Sequence, residues 1–270
     1  MCGNELDVTA LEVTIGGLSL IAQVDTVIAI TGANMPLTIN SAAKTLWRSH
    51  KIKAGDHVEL GFASAGVRCY IAVVGGFTIK ESFGSTATVC REHVGGIAGG
   101  KLVHGDVLAC KEGNLGHMNN LCLPEHSWPS YEQEAVLHTI PSYQQHCFPS
   151  HQQRLFFSNE YTVSQHCDRM GYRLEGRAIE CDIEGVLSEG ICYGAVQIPA
   201  DGQPIVLMND RQTIGGYPKI GSVISPDTAK LGQLSQRAKV HFEPISMEKA
   251  HNLFHLALSH FTRTAMVVCD

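Results

Sequence analysis

The chain has 270 residues, a formal net charge of −6 and a sequence pI near 6.1. Charged residues make up only 17% and hydrophobic ones 44%, which excludes a disordered chain and argues against a protein built to grip nucleic acid phosphates. Glycine, at 27 residues, exceeds the usual share of roughly 7% and points to a turn-rich, mainly β fold.

The first part reads as short strands. Ala10 to Ile15 and Leu18 to Val24 flank Gly16-Gly17, a hairpin signal. Thr26 to Thr31 is β-branched and apolar, and Gly32 closes it. Val58 to Leu60 and Arg68 to Val74 follow, with Gly75-Gly76 ending the second. Two stretches look alike: Lys53-Ala54-Gly55-Asp56 before Val58, and Val103-His104-Gly105-Asp106 before Val107. Each predicts a Gly-Asp turn feeding an apolar strand, because Gly accepts positive φ and Asp bonds its neighbours' backbone. Lys111 to Pro129 lacks periodicity and is read as the connection between two halves, 1–125 and 126–270. Glu134 to Ile140 reads as a strand, Pro141 to Ser150 as a polar loop, and Lys239 to Glu243 as another strand. Ser246 then caps a C-terminal helix. Leu253, Phe254, Leu256, Ala257 and Phe261 form its apolar stripe, expected to contact the core.

No run of about 18 apolar residues occurs, so no membrane span is expected. Met1 to Ala10 lacks the basic start of a secretion signal, so a cytoplasmic setting is expected. The ten cysteines contain no C-x-x-C pair, which fits buried free thiols in a reducing compartment. No resident metal is expected. His146, His151, His166 and Cys167 match no zinc spacing. His251 and His255 stand four apart on the helix, but Asn252 occupies the place of the glutamate in H-E-x-x-H.

Gly95 to Lys101 fits G-x-x-x-x-G-K, yet Leu102 follows the lysine where a P-loop needs Ser or Thr. It is read as a glycine loop. No G-x-S-x-G elbow is present. Met247-Glu248-Lys249 lies in the helix, so no biotin-carrying lysine is expected on this chain.

The densest constellation runs from Ser164 to Gly176 and from Ser188 to Ile220. Ile205 to Met208 is a short buried strand entered by the Asp201-Gly202 turn. It leads to the polar run Asn209 to Thr213 and then to Gly215-Gly216. Polar groups at a strand end beside a glycine turn can form a small-molecule site. Arg169 and Arg173 can present planar forks to a carboxylate or phosphate. Equally, the arginines can pair structurally with Glu175, Asp168 or Asp210, and the glycines can simply shape barrel corners.

At these residues the sequence resembles the biotin-dependent carboxyltransferase family of the allophanate hydrolase subunit 2 type, and within it the stand-alone group of 5-oxoprolinase C subunits. Gly171-Tyr172-Arg173-Leu174-Glu175-Gly176 and Gln212-Thr213-Ile214-Gly215-Gly216-Tyr217-Pro218 carry the resemblance most specifically. Thr31-Gly32-Ala33, Lys53 to Asp56, Tyr70 to Gly76 and Gly95 to Asp106 extend it over nearly the whole chain. The implied fold is a mainly β pair of cyclophilin-like β-barrel domains, 1–125 and 126–270, with a C-terminal helix. The implied activity is ATP-dependent opening of 5-oxo-L-proline to L-glutamate. Its implied partners are the B and A subunits of 5-oxoprolinase. ATP with Mg would serve the complex as a whole. The resemblance marks blocks that hold Arg169, Arg173 and Asp210 as catalytic candidates. Asn209, Gln212, Thr213, Gly215, Gly216 and Tyr217 in the same blocks are the substrate-binding candidates, although the resemblance itself assigns no residue its role.

Two other readings stand beside this one. One is carboxyl transfer to urea or a related amide with biotin from another chain. The other is a non-catalytic regulator that binds a kinase inhibitor resembling the B subunit. Relatives usually open with a strand bearing Gln-Asp-x-Gly-Arg, whereas Met1-Cys2-Gly3-Asn4 resembles a later segment. The resemblance therefore implies that the opening strand of the first barrel is absent here.

Overall fold

A computed structural model describes residues 1–111, 113, 119–183 and 185–269. Its strands in chain order are β1 (Leu11–Thr14), β2 (Leu18–Ile21), β3 (Thr26–Asn34), β4 (Leu37–Ile39), β5 (Ala42–Lys44), β6 (Arg48–Ile52), β7 (His57–Leu60) and β8 (Ala65–Val73). The short β9 (Leu121–Cys122) precedes β10 (Glu134–Pro141), β11 (Glu160–Cys167), β12 (Gly171–Glu175), β13 (Glu189–Gly190) and β14 (Ala195–Gln197). The last strands are β15 (Ile205–Leu207), β16 (Ile214–Gly215), β17 (Lys219–Val223), β18 (Lys239–Pro244) and β19 (Val267–Val268). Among the described residues three α-helices intervene, α1 (Ser150–Ser158), α2 (Ser225–Leu231) and α3 (Met247–Arg263). The mainly β class with a C-terminal helix is the class the sequence led us to expect.

The chain divides into two compact units, Met1–Ser130 with Ala265–Asp270, and Tyr131–Thr264. In the first unit the strands form two sheets. One has the order β1-β8-β3-β6-β9-β19 and the other β2-β7-β4-β5. Both contribute to one core, with Ile28, Ile30 and Ile71 from the first and Leu37, Val58 and Leu60 from the second. β7 shows the alternation of a half-buried strand: Val58 and Leu60 point inward, His57 and Glu59 outward.

The expected Gly16-Gly17 hairpin does not form. β1 pairs with β8, and β2 pairs with β7 in the other sheet. Three successive residues, Ile15, Gly16 and Gly17, have φ of 68°, 116° and 79°. This left-handed run passes the chain from sheet to sheet, so it makes a corner where a hairpin would have returned the strand beside itself. A Cβ at Gly16 would stand 2.1 Å from the Gly61 carbonyl oxygen. Gly32 does not close β3. The strand continues to Asn34 through a register shift against β8. That irregularity is a bulge that Gly32, with φ of 113°, accommodates.

The two Gly-Asp turns share their chemistry and differ in outcome. Asp56 Oδ2 accepts from Lys53 N at 2.7 Å, and Asp106 Oδ2 accepts from Val103 N at 2.8 Å. The first feeds β7, which has β2 and β4 on either side. The second feeds only an isolated bridge, Cys110 to Phe77, among the described residues, and Val107 is exposed. Turn chemistry directs the chain, but a strand also needs a neighbour for its backbone. The glycine loop Gly95 to Lys101 lies in turns and bends, with neither a strand before it nor a helix after it. Within the expected connection Lys111 to Pro129, residues 112 and 114–118 lie outside the described residues.

The second unit is built on a closed barrel of order β10-β17-β14-β15-β12-β11-β18. Its core includes Leu137, Tyr172, Leu174, Val196, Val206 and Val240. α1 adds Phe156, whose ring stacks on Phe242 at 4.4 Å between centroids and meets Tyr161 at 5.9 Å. The sequence reading missed α1 and α2, because nine and seven residues are too short to show a stripe. A 3-10 turn, Tyr143–Cys147, also replaces the loop expected after β10.

α3 begins where expected, with Ser246 Oγ accepting from Lys249 N at 3.2 Å. Its stripe does not behave as expected. Ala250 is buried and Leu253 half-buried, but Phe254, Leu256 and Phe261 are exposed. Among the described residues only the first turns of α3 meet the cluster of Ile224, Ile245 and Ala250, so the distal apolar residues find no core there within this unit. Among the described residues no helix is long and apolar enough to cross a membrane.

Candidate functional site

The dense block folds as a set of connected turns at one part of the barrel. Between β11 and β12 the chain reverses through Asp168, whose Oδ1 accepts from Met170 N at 2.8 Å and Gly171 N at 3.1 Å. Beyond β15, Met208 N donates to Met170 O at 2.9 Å and Asp210 N to Arg169 O at 2.8 Å. This backbone pairing lays the polar run Asn209 to Thr213 beside the β11–β12 turn.

The side chains repeat the connection. Arg169 Nε lies 2.9 Å from Asp210 Oδ2, and its Nη2 lies 3.1 Å from Oδ1. Such a two-point fork fixes the carboxylate's plane as well as its charge. The structural pairing left open by the sequence is therefore realised for Arg169 with Asp210. Arg211 is also tied down, donating to the carbonyls of Ile191 and Met208 at 3.3 Å each, with its guanidinium over the Tyr193 ring. Arg173 sits on the outward face of β12, because Tyr172 and Leu174 take the inward positions. It is exposed and has no ion-pair partner among the described residues.

Asn209, Gln212 and Thr213 are exposed, and the Thr213 carbonyl accepts from Ile191 N at 3.0 Å. Gly215 pairs with Glu189 in the β13–β16 ladder. Gly216 O accepts from Val186 N at 2.8 Å. The glycine pair closes tightly on its own chain, since a Cβ at Gly215 would lie 2.4 Å from Ile191 Cδ1. Tyr217 is exposed at the end of this run.

That ladder brings together a cluster the sequence reading missed. Lys219 opens β17, and only 8% of its side chain is exposed. Its Nζ donates to Glu189 Oε1. Gln144 Nε2 donates to the same oxygen at 2.6 Å, while Gln144 Oε1 accepts from Lys219 N at 2.8 Å. Tyr143 completes the group. Its hydroxyl bonds Glu189 and accepts from Gln144 Nε2 at 3.3 Å. Lys219 Nζ stands 5.7 Å from the centre of its ring. The hydrogen bond from Lys219, then that from Tyr143, holds the Glu189 carboxyl below its ordinary range. The same Glu189 bond, followed by burial, pushes the Tyr143 phenol up. At neutral pH the cluster therefore holds a carboxylate, an ammonium and a neutral phenol. This arrangement can orient a polar small molecule and steady negative charge that develops near the ammonium.

One signal for this cluster was legible in advance: a lysine opening an otherwise apolar strand, directly after Gly-Tyr-Pro. Tyr143 and Gln144 gave no such signal, because only the docking of their 3-10 turn onto β17 brings them in. Ser142 N donates to Ile220 O at 3.0 Å, and Ser142 Oγ accepts from Gln144 N at 3.2 Å. Among the described residues no three His, Cys, Asp or Glu side chains gather to hold a metal ion. His251 and His255 face each other on exposed α3, with Nε2 atoms 2.7 Å apart and no third ligand from such residues.

Comparison with known proteins adds the family. The profile described as carboxyltransferase domain, subdomain A and B, matches residues 1–244. The chain is 33% identical over 255 residues to a Haemophilus influenzae protein named as the C subunit of 5-oxoprolinase, covering 94% of this chain and 80% of that one. It is 34% identical over 252 residues to the Escherichia coli protein of the same name, covering 93% and 79%. The crystal structure of Kluyveromyces lactis urea carboxylase superposes with a TM-score of 0.87 at 22% identity. That match covers 97% of this chain but only 25% of the larger protein, so it establishes a shared fold. By the extent of the profile and the identity to these two bacterial relatives, the chain belongs to the carboxyltransferase domain, subdomain A and B, family.

Proposed function

We propose that the chain works as one member of an ATP-dependent 5-oxoprolinase complex, opening 5-oxo-L-proline to L-glutamate together with the A and B subunits. The observation that carries this reading is identity of 33% and 34%, along more than nine-tenths of the chain, to two proteins named as the C subunit of 5-oxoprolinase. The chemistry is consistent with the site. A lactam is a poor electrophile, and phosphorylating its amide oxygen activates the carbon for attack by water; the C–N bond then breaks to leave an acyl phosphate, whose hydrolysis releases glutamate and phosphate. Charge then develops on oxygen, and a buried ammonium held by Glu189 beside a neutral phenol suits that demand. In this reading Lys219, Glu189, Tyr143 and Gln144 orient the substrate, and the exposed run Asn209, Gln212, Thr213 and Tyr217 lines its approach. Arg169 and Asp210 hold that run in place through their mutual pair. Arg173, outward on β12, is placed to meet a partner protein or an anionic substrate group. ATP and Mg belong to the whole cytoplasmic complex, and no residue of this chain is assigned to either.

Reconstitution tests the proposal. The chain is mixed with the A and B subunits, ATP, Mg and 5-oxo-L-proline, and glutamate release is followed. Release that requires all three proteins and ATP is expected. Avidin-sensitive carboxylation of urea or a related amide would replace this reading with carboxyl transfer. Tight binding to a protein resembling the B subunit, without turnover in any combination, would replace it with a regulator.

A further inference from the structure

The 3-10 turn Tyr143–Cys147 ends on a cysteine whose backbone carbonyl meets a second cysteine. Asp182 N donates to the Cys147 carbonyl at 2.9 Å, and Cys181 Sγ donates to the same oxygen at 3.2 Å. The Cys181 sulfur therefore lies at the Cys147 backbone, and a disulfide needs the Cys147 side chain to turn from His146 towards it. Both cysteines also pack against the barrel core, which restrains their separation.

The two thiols are not equivalent. His146 Nε2 lies 3.5 Å from Cys147 Sγ. His146 Nδ1 lies 2.9 Å from the Tyr143 carbonyl oxygen. A carbonyl only accepts, so in the neutral imidazole the proton sits on Nδ1 and Nε2 is free to take the thiol proton. Cys147 thus has a base beside it on an exposed turn. Cys181 has the opposite surroundings: burial, its leading influence, pushes its thiol up.

We propose that Cys147 and Cys181 form a dithiol that a hydroperoxide oxidises to a disulfide, with Cys147 attacking and Cys181 resolving. The Cys147 proton passes to His146 Nε2, and the thiolate sulfur attacks one oxygen of the hydroperoxide. The O–O bond breaks, and the departing oxygen leaves as an alcohol, or as water from hydrogen peroxide, with the proton from His146. Cys147 becomes a sulfenic acid. The Cys181 sulfur then attacks the Cys147 sulfur and the S–O bond breaks. Hydroxide leaves as water with the Cys181 proton, and the S–S bond forms. Two thiols are oxidised and one peroxide is reduced. The bond ties down the 3-10 turn that carries Tyr143 and Gln144 to Lys219, so oxidation acts on the polar cluster. The proposal stands independently of the oxoprolinase reading.

The test uses the whole reduced chain, treated with equimolar hydrogen peroxide, alkylated, and mapped by mass spectrometry without reduction. The expected product is one linked peptide pair containing Cys147 and Cys181, returned to free thiols by dithiothreitol. In Cys181→Ser, Cys147 is expected to stop at a sulfenic acid that dimedone traps. His146→Ala is expected to slow the linkage several-fold at neutral pH without moving it. Full alkylation of Cys147 and Cys181 after peroxide overturns the proposal. So does a linkage formed instead through exposed Cys192. The wild-type map decides even if a variant fails to fold.

Discussion

Lys219 Nζ and Gln144 Nε2 converge on one oxygen of Glu189. Three segments distant in sequence, the 3-10 turn, β13 and β17, are thereby joined through a single carboxylate. The two ends of the ion pair are unequally placed. The lysine side chain is 8% exposed, whereas that of the glutamate is 32% exposed.

This asymmetry predicts unequal costs. Glu189→Gln strands a charge on a lysine that water hardly reaches, while Lys219→Met leaves a carboxylate that can still hydrate. Glu189→Gln is expected to lower the thermal midpoint by several degrees, and Lys219→Met by less. Circular dichroism melts of both variants check the order. Equal shifts would show that the lysine finds other compensation.

Acid should weaken the second unit through the same group. The Glu189 pKa is depressed in the folded state below its ordinary 4.5, chiefly by Lys219 and then by Tyr143. A depressed carboxylate adds stability that is present above the unfolded pKa and is lost as pH falls through the folded one. Glu243, held down by Lys249, acts in the same direction. Stability is therefore expected to fall below about pH 4.5, the ordinary carboxylate value. The slope should be shallower in Glu189→Gln. Urea titrations from pH 6 to about pH 3 measure it, and identical slopes would remove Glu189 from the acid response.

Arg169 and Asp210 make a partly exposed pair, so a double-mutant cycle should return a modest coupling of about 1 kcal/mol or less. Arg169→Ala and Asp210→Ala should then impair any activity of the reconstituted complex to a similar degree, since each releases the same turn. A large loss with Arg169→Ala beside a small one with Asp210→Ala would mean that the arginine meets the substrate directly.

At the corner between the two sheets of the first unit, Gly16→Ala should be costly. Its φ of +116° is poorly open to side chains, and the new Cβ would fall 2.1 Å from the Gly61 carbonyl oxygen. More than about 1 kcal/mol of destabilisation is expected, because alanine at positive φ costs more than glycine's entropy returns. A stability within error of the parent protein would show that the corner relaxes freely.

Much was legible in the sequence because it depends on local chemistry. The Gly55-Asp56 turn, the alternation of Val58 and Leu60, the Ser246 cap and the polar run after Ile205 each rest on residues only a few places apart. The family resemblance drew on the same blocks, Gly171 to Gly176 and Gln212 to Pro218. What failed depended on partners. Gly16-Gly17 announced a turn but could not say whether β2 would pair with β1 or cross to β7. Gly105-Asp106 built its turn, but the segment after it made only an isolated bridge, Cys110 to Phe77, among the described residues. Phe254 and Phe261 had helical spacing, but spacing alone does not supply a surface to bury them.

The sequence by itself determined the length, the mild acidity, the mainly β class and the blocks that mark the family. Local bonding and composition are enough for these. Only the tertiary structure decided that Arg169 is engaged by Asp210 and that Lys219 meets Glu189 and Gln144. Barrel closure brings together residues that lie tens of positions apart, and a burial-dependent pair exists only once both partners have left water.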